Sequence, residues 1–351
     1  MLILRNWNRS LAASAGLLAL LFACLLAGPS AHAGSSYVLT ASNDLLVVDA
    51  DQQRLVGEVP LGRFVKDIAV APGGRFAYVA HSGGVEVVDL VSLQVVAHPV
   101  TMPARFLRLS PDGSMLYALT YGSKKMRASG EVPEGYFLQV VDLSAKQPRV
   151  VQRMELGSGA FDFIVSPSTG TVHVLNLSAR TLAQRSLADG TLRKSVVVPG
   201  STPATARAGE QGVLFRLAVS ADGSRVYIPE MREECGLWEI NASSGAIRWV
   251  SLGFEAYPRA MVLSPDGSSL HVSSVKGLFT VDLETFSVAR YTECEEVHQG
   301  IGVSRDGTRI FSTVPDIRDG GALDIYDAAT LDRLARVPIP GHSPFVVISA
   351  H

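Results

Sequence analysis

Cysteine is scarce in this chain: three in 351 residues, at Cys24, Cys235 and Cys294. So few cannot build the disulfide framework on which small secreted domains depend, so a hydrophobic core must hold the fold. Neither C-x-x-C nor C-x-x-C-H occurs, which argues against zinc ribbons and covalently attached c-type haem. Charge of one sign is lacking as well. Thirty-one basic residues face 33 acidic ones, a formal charge of −2, and bulk electrostatics of that kind exclude a strong nucleic-acid binder. The hydrolase elbow G-x-S-x-G, the P-loop, H-E-x-x-H and a helix-opening G-x-G-x-x-G are all missing, and no D-x-D-x-D run suggests calcium. Aromatics are only 7%, whereas glycine (32) and proline (18) are plentiful, a mixture suited to short strands and tight turns. With 47% hydrophobic and 18% charged residues the chain is no disordered segment.

Long apolar runs are confined to one place. Arg5 and Arg9 precede a nearly unbroken apolar stretch, Leu11 to Leu26, then Gly28-Pro29 and Ala31-His32-Ala33. This is the basic, apolar, A-x-A order of a secretory signal peptide, with cleavage expected near Ala33. The alternative is a membrane anchor, for which the run is slightly short. No other segment could span a bilayer. Cleavage would remove two arginines and no acid, leaving residues 34–351 with a formal charge of −4 and a periplasmic or secreted destination.

Residues 34–351 are organised by an internal repeat. One element is an apolar run ending in Ser-Pro-Asp-Gly or a relative: IAVAPGG (68–74), LRLSPDG (107–113), FIVSPSTG (163–170), LAVSADG (217–223), MVLSPDG (261–267) and IGVSRDG (301–307). Each reads as a buried strand closed by a tight turn, with glycine taking the positive φ. A second element follows each turn, such as FAYVA (76–80), LYALT (116–120) and VYIPE (226–230). A third ends in an acidic or polar turn at positions 49, 89, 142, 186, 241, 282 and 327, and a looser fourth succeeds it. Four strands in each 40–55-residue interval is the signature of a propeller blade. Seven such units predict an all-β fold, a single seven-bladed β-propeller domain over residues 34–351 with four antiparallel strands per blade.

The two ends support a closed ring. YVLTAS (37–42) matches the second element, and FVVIS (345–349) is a first element without its turn. Pairing them completes one split blade and covers two sheet edges.

The Ser-Pro-Asp-Gly turn, the Tyr-Val-x-x strand and the Val-Val-Asp strand resemble the YVTN-type propeller repeat. That class includes propeller subunits of bacterial amine dehydrogenases, the haem domain of nitrite reductase and solitary secreted propellers. The resemblance spans residues 34–351. It implies the fold and says little about function, because the matched residues build turns and core.

Strand order places the second-to-third loops and the connections between blades on one face. Both long insertions, Tyr121–Tyr136 and Pro199–Gly212, belong to that face, and long loops on a rigid scaffold commonly carry binding. The residue five before each turn serine starts the innermost strand at the channel mouth on the same face. These are Lys66, Arg105, Phe161, Phe215, Arg259, Gln299 and Pro344. Three cations at a narrow mouth suit a carboxylate or phosphate. The opposing reading is that they pair with Asp67, Glu255 or Glu295 and tie loops together. His81, His298 and His342 fall on this face too, from different blades and without metal-ligand spacing, so no metal is expected. The candidate ligand-binding set is therefore Lys66, Arg105, Arg259, His298, Gln299 and His342. Cys235 and Cys294 also lie in loops of this face. They are either a disulfide or two separate thiols. The repeated aspartates are turn residues rather than catalytic ones.

These features favour an extracytoplasmic, noncatalytic binding or assembly propeller that holds a protein partner or small anionic ligand on the insertion-bearing face. No cofactor and no nucleic acid are expected. The alternatives are a propeller subunit of a periplasmic redox enzyme, by analogy with amine dehydrogenase, and a lactonase-like hydrolase.

Overall fold

The computed structural model describes residues 37–122, 135–166, 169–176, 179–199, 216–220, 222–231, 234–316, 318, 320–344 and the backbone of 346–350. The expected leader, Phe215 and most of both insertions lie outside the described residues. Strands numbered β1 to β28 in chain order form seven four-stranded antiparallel sheets. No α-helix occurs among the described residues.

Blade 2 illustrates the unit. β4 (Val65–Val70), β5 (Phe76–His81), β6 (Gly84–Asp89) and β7 (Gln94–Val100) pair in sequence order as an antiparallel meander. Burial falls outward. β5 is buried along most of its length, while β7 alternates between exposed and half-buried positions. The innermost strands of the next five blades are β8 (Ala104–Leu109), β12 (Ala160–Ser166), β16 (Ala218–Val219), β20 (Pro258–Leu263) and β24 (Ile301–Val303).

The ring closes as the sequence predicts. β28 (Val346–Ala350) pairs antiparallel with β1 (Tyr37–Ala41), matching Tyr37 with Ala350 and Ala41 with Val346. β2 (Leu45–Asp49) and β3 (Arg54–Val59) complete that sheet, in the order β28-β1-β2-β3.

The core lies between blades. Val38, Leu46 and Val48 of the closing blade pack with Phe311, Leu323 and Ile325 of the preceding one. Tyr78 and Val85 pack likewise with Leu116 and Phe137 of the following blade. Each fully buried side chain of this size contributes about 1.5–3 kcal/mol. A single blade leaves both faces apolar, so the blades are stable only as neighbours.

Four of the turns after the innermost strands share one construction. In Ser110-Pro-Asp-Gly, the Ser110 hydroxyl donates to Asp112 at 2.5 Å, Ser114 N donates to the same carboxylate at 3.0 Å, and Gly113 N donates to Ser110 O at 2.9 Å. Gly113 has a φ of 70°, the left-handed conformation that favours glycine. The same serine–aspartate pairs recur at Asp222, Asp266 and Asp306. Hydrogen bonds to serine hydroxyls, first of all, hold these four carboxyls down to about 2. These aspartates are turn staples.

Candidate binding site at the channel mouth

The mouth residues owe their placement to a repeated irregularity. In blade 2, Val65 pairs with His81 and Asp67 with Ala80, so Lys66 is an extra residue. Arg105, Phe161 and Arg259 are the extra residues at the same point of β8, β12 and β20. A β-bulge leaves its extra residue out of the ladder and re-aims its side chain. Four blades thus present one unpaired residue each at the start of the innermost strand.

Three of these four are cations. The Lys66 ammonium lies 4.4 Å from the centre of the Phe64 ring. The Arg105 guanidinium lies 4.3 Å from the Phe161 ring centre and 5.4 Å from that of Phe106. Burial, then the nearby Arg105 charge, lowers the Lys66 pKa. Burial lowers that of Arg105 as well, opposed by Tyr136, Asp162 and Tyr121. Tyr121 and Tyr136 flank the first insertion, their rings 6.4 Å apart, so Arg105 lies beside the stem of that loop. Arg259 is lowered by burial alone, and its buried Nε has no hydrogen-bond partner among the described residues. None of the three forms a salt bridge among the described residues, so the expected alternative of pairing with Asp67, Glu255 or Glu295 is not what the geometry contains.

One residue further along the strands, the charges are neutralised. Asp67 and Asp162 are fully buried. Asp67 accepts from Ile68 N at 2.7 Å and from Leu107 N of the next blade at 2.8 Å. Asp162 accepts from Phe163 N and, in the next blade, Leu217 N, both at 2.7 Å. Each aspartate therefore staples two innermost strands. Arg108 joins both carboxylates, at 3.6 Å to Asp67 and 3.3 Å to Asp162. Arg216 of blade 5 reaches Asp67 of blade 2 and bonds to it. Burial raises the Asp162 carboxyl pKa, opposed first by Arg108 and then by the Leu217 and Phe163 amides. Arg108 and Arg216 also line a cavity of about 380 Å³ with residues of β4, β8, β12, β16 and β20. The arrangement is a neutral Arg–Asp layer along the strands beside three cations that form no salt bridge among the described residues.

The other expected members are dispersed. Gln299 is half-buried, its backbone N donating to Thr313 O at 2.9 Å and its carbonyl accepting from Ser273 at 3.2 Å. Pro344 is buried. His298 is fully buried within blade 7. Its Nδ1 lies 2.9 Å from Ser312 Oγ on β25 (Arg309–Val314), and its Nε2 lies 3.3 Å from Tyr326 OH on β26 (Gly321–Asp327). Tyr326 lies 3.3 Å from Asp324, whose carboxylate is clamped by Arg336 at 2.7 and 2.8 Å. Burial pulls His298 down to about 4, so it is a neutral core residue rather than a mouth ligand. His342 lies beside Glu58, at 3.5 Å. Cys235 and Cys294 are not bridged to each other in this structure. Cys235 is buried and accepts from Tyr257 N at 3.2 Å, whereas Cys294 lies 3.6 Å from Tyr326 OH.

The chain is a seven-bladed β-propeller whose ring closes through the pairing of β1 with β28. No protein-family model matches it. It is similar to the seven-bladed beta-propeller protein Rv1057 of Mycobacterium tuberculosis, 24% identical over 304 residues that cover 75% of this chain and 72% of that protein. Among solved structures, a functionally unknown protein from Desulfotomaculum acetoxidans superposes with a TM-score of 0.69 at 14% identity, covering 90% of this chain and 99% of the other. The dihydro-heme d1 dehydrogenase NirN gives 0.62 at 18% identity, covering 89% and 74%. Hydrazine synthase of Kuenenia stuttgartiensis gives 0.61 at 16%, covering 81% and 89%. At these identities the likeness is one of fold.

Proposed function

We propose that this propeller is a noncatalytic binding or assembly protein working outside the cytoplasm, and that it takes a small anion or an acidic segment of a partner protein at the channel mouth. One observation carries the reading: Lys66, Arg105 and Arg259 are half-buried cations that form no salt bridge among the described residues, beside an Arg–Asp layer that is neutralised. Placing like charges together away from water is costly unless a counter-charge arrives. Carboxylates and phosphates supply it, with guanidinium groups offering paired N–H donors. Phe64, Phe161, Tyr121 and Tyr136 add aromatic walls suited to a ligand with a flat apolar part.

The test replaces Lys66, Arg105 and Arg259 together by alanine. Wild type and variant are titrated with a panel of carboxylates and phosphates, and both are used to capture partners from the cell envelope. The expected result is a native circular-dichroism spectrum with anion binding or partner capture weakened at least tenfold. Unchanged binding in the folded variant overturns the reading.

A second reading, a propeller subunit of a redox assembly, draws support from two fold neighbours whose names are those of redox enzymes. Co-purification of a stoichiometric redox partner would favour it over the first.

A further inference from the structure

The ring closes through one blade, and beside that closure three metal-competent side chains from three separate segments meet. Asp44 stands in the turn between β1 and β2, Glu58 on β3, and His342 in the connection from β27 (Arg333–Ile339) to β28. One donor atom from each lies within 4.8 Å of the others. We propose that Asp44, Glu58 and His342 form a divalent-cation site of the zinc type that ties the arriving closing segment to the blade it completes.

The distances suit such an ion. Zinc bonds to imidazole nitrogen and carboxylate oxygen of about 2.0–2.2 Å set neighbouring tetrahedral ligands about 3.4 Å apart. His342 Nε2 and Glu58 Oε1 already stand 3.5 Å apart. Drawing Asp44 in takes roughly another ångström of side-chain rotation, within reach of a half-buried group. Its Oδ1 accepts from Leu61 N at 2.7 Å and from Gly62 N at 3.0 Å. Hydrogen bonds of this kind orient a ligating carboxylate and leave its second oxygen for the ion.

The donor set also selects the ion. One imidazole with two carboxylates suits a borderline cation, whereas calcium seeks six to eight oxygens. The His342 side chain is 16% exposed and that of Glu58 44%, so the ion has a route in and water can fill its remaining positions. Three protein ligands with a water position is a recurrent zinc arrangement. This inference is independent of the anion-binding mouth, because it uses none of Lys66, Arg105 or Arg259.

The experiment is a calorimetric titration of the chelator-stripped protein with zinc alone, compared with calcium alone, followed by thermal unfolding with and without zinc. The variants are His342→Ala, Glu58→Gln and, as a control, His98→Ala. His98 is an exposed histidine beside Glu86 in blade 2 and belongs to no part of the proposed site. The expected result is one saturable equivalent of zinc in wild type and in the His98 variant, each with a raised unfolding midpoint. Affinity falls at least tenfold and the midpoint shift disappears in the His342 and Glu58 variants, both partly exposed positions where the fold survives. Absence of saturable zinc binding overturns the proposal. So does zinc binding that survives His342→Ala, or calcium binding as tight as zinc.

Discussion

Two arginines on the innermost strands should respond to the same substitution with opposite signs. Arg259 at the mouth has a buried Nε without a hydrogen-bond partner among the described residues. A buried unsatisfied donor costs about 1–3 kcal/mol, and methionine retains most of the apolar stem. Arg259→Met should therefore leave stability unchanged or raise it by about 1 kcal/mol. Arg108, by contrast, joins the fully buried carboxylates of Asp67 and Asp162 and donates to Leu107 O at 2.8 Å. Removing one partner of a buried ion pair costs about 3–5 kcal/mol, because it strands the opposite charge. About 3 kcal/mol is the better figure for Arg108→Met, since 23% of the Arg108 side chain remains in water. Urea unfolding of the two variants and wild type at pH 7 reads both numbers on one scale. Anion affinity, read by titration, should fall roughly 10-fold or more in Arg259→Met, the worth of a charged hydrogen bond. A loss of more than about 1 kcal/mol in Arg259→Met would mean the guanidinium is a structural strut, and the mouth would lose its claim as a binding site.

Two further outcomes follow from buried groups. Burial pulls His298 and His271 down to about 4, well below the ordinary 6.5. Between pH 6.5 and about 4 the unfolded chain binds protons there that the folded chain refuses, so stability should decline as pH falls through that window. At about 1.4 kcal/mol per unit the ceiling is about 3 kcal/mol for each histidine, and a His298→Gln variant should show a shallower decline in urea midpoints from pH 7 to 4.5. An identical slope in that variant would refute the assignment. Cys235 and Cys294 should both be alkylated in denaturant without reductant, as read by peptide mass, because no disulfide joins them to each other. Under native conditions both should react slowly, since burial raises both thiol pKa values. Recovery of a Cys235–Cys294 cross-linked peptide would refute it.

Local, repeated chemistry was legible in the sequence, and long-range chemistry was not. Ser-Pro-Asp-Gly specifies its turn through contacts within five residues, and the seven recurrences of the third element counted the blades. The split unit at 37–42 and 345–349 likewise revealed how the ring closes. Counting back five residues from each turn found Lys66, Arg105 and Arg259, because the bulge recurs at the same point of the repeat. The Arg108–Asp162 and Arg216–Asp67 bonds join residues 54 and 149 positions apart, and no local pattern announces them. Their signal was charge inside otherwise apolar innermost strands, as in VKDIAV and ARFLRL. The burial of His298 was not legible, because position relative to a turn says nothing about whether a ring folds inward on Ser312 and Tyr326.

The pairing of Tyr37 with Ala350 also has a temporal side. A ribosome releases β1 long before β28, so β1 waits for every strand between them before its edge is covered. Contacts of such sequence separation form slowly, and an unpaired strand edge invites association with other chains meanwhile. The intermediate blades can assemble progressively on their neighbours, but the ring gains its final seal only at the end. Whatever holds the nascent chain through that interval protects one strand above all, the five residues from Tyr37 to Ala41.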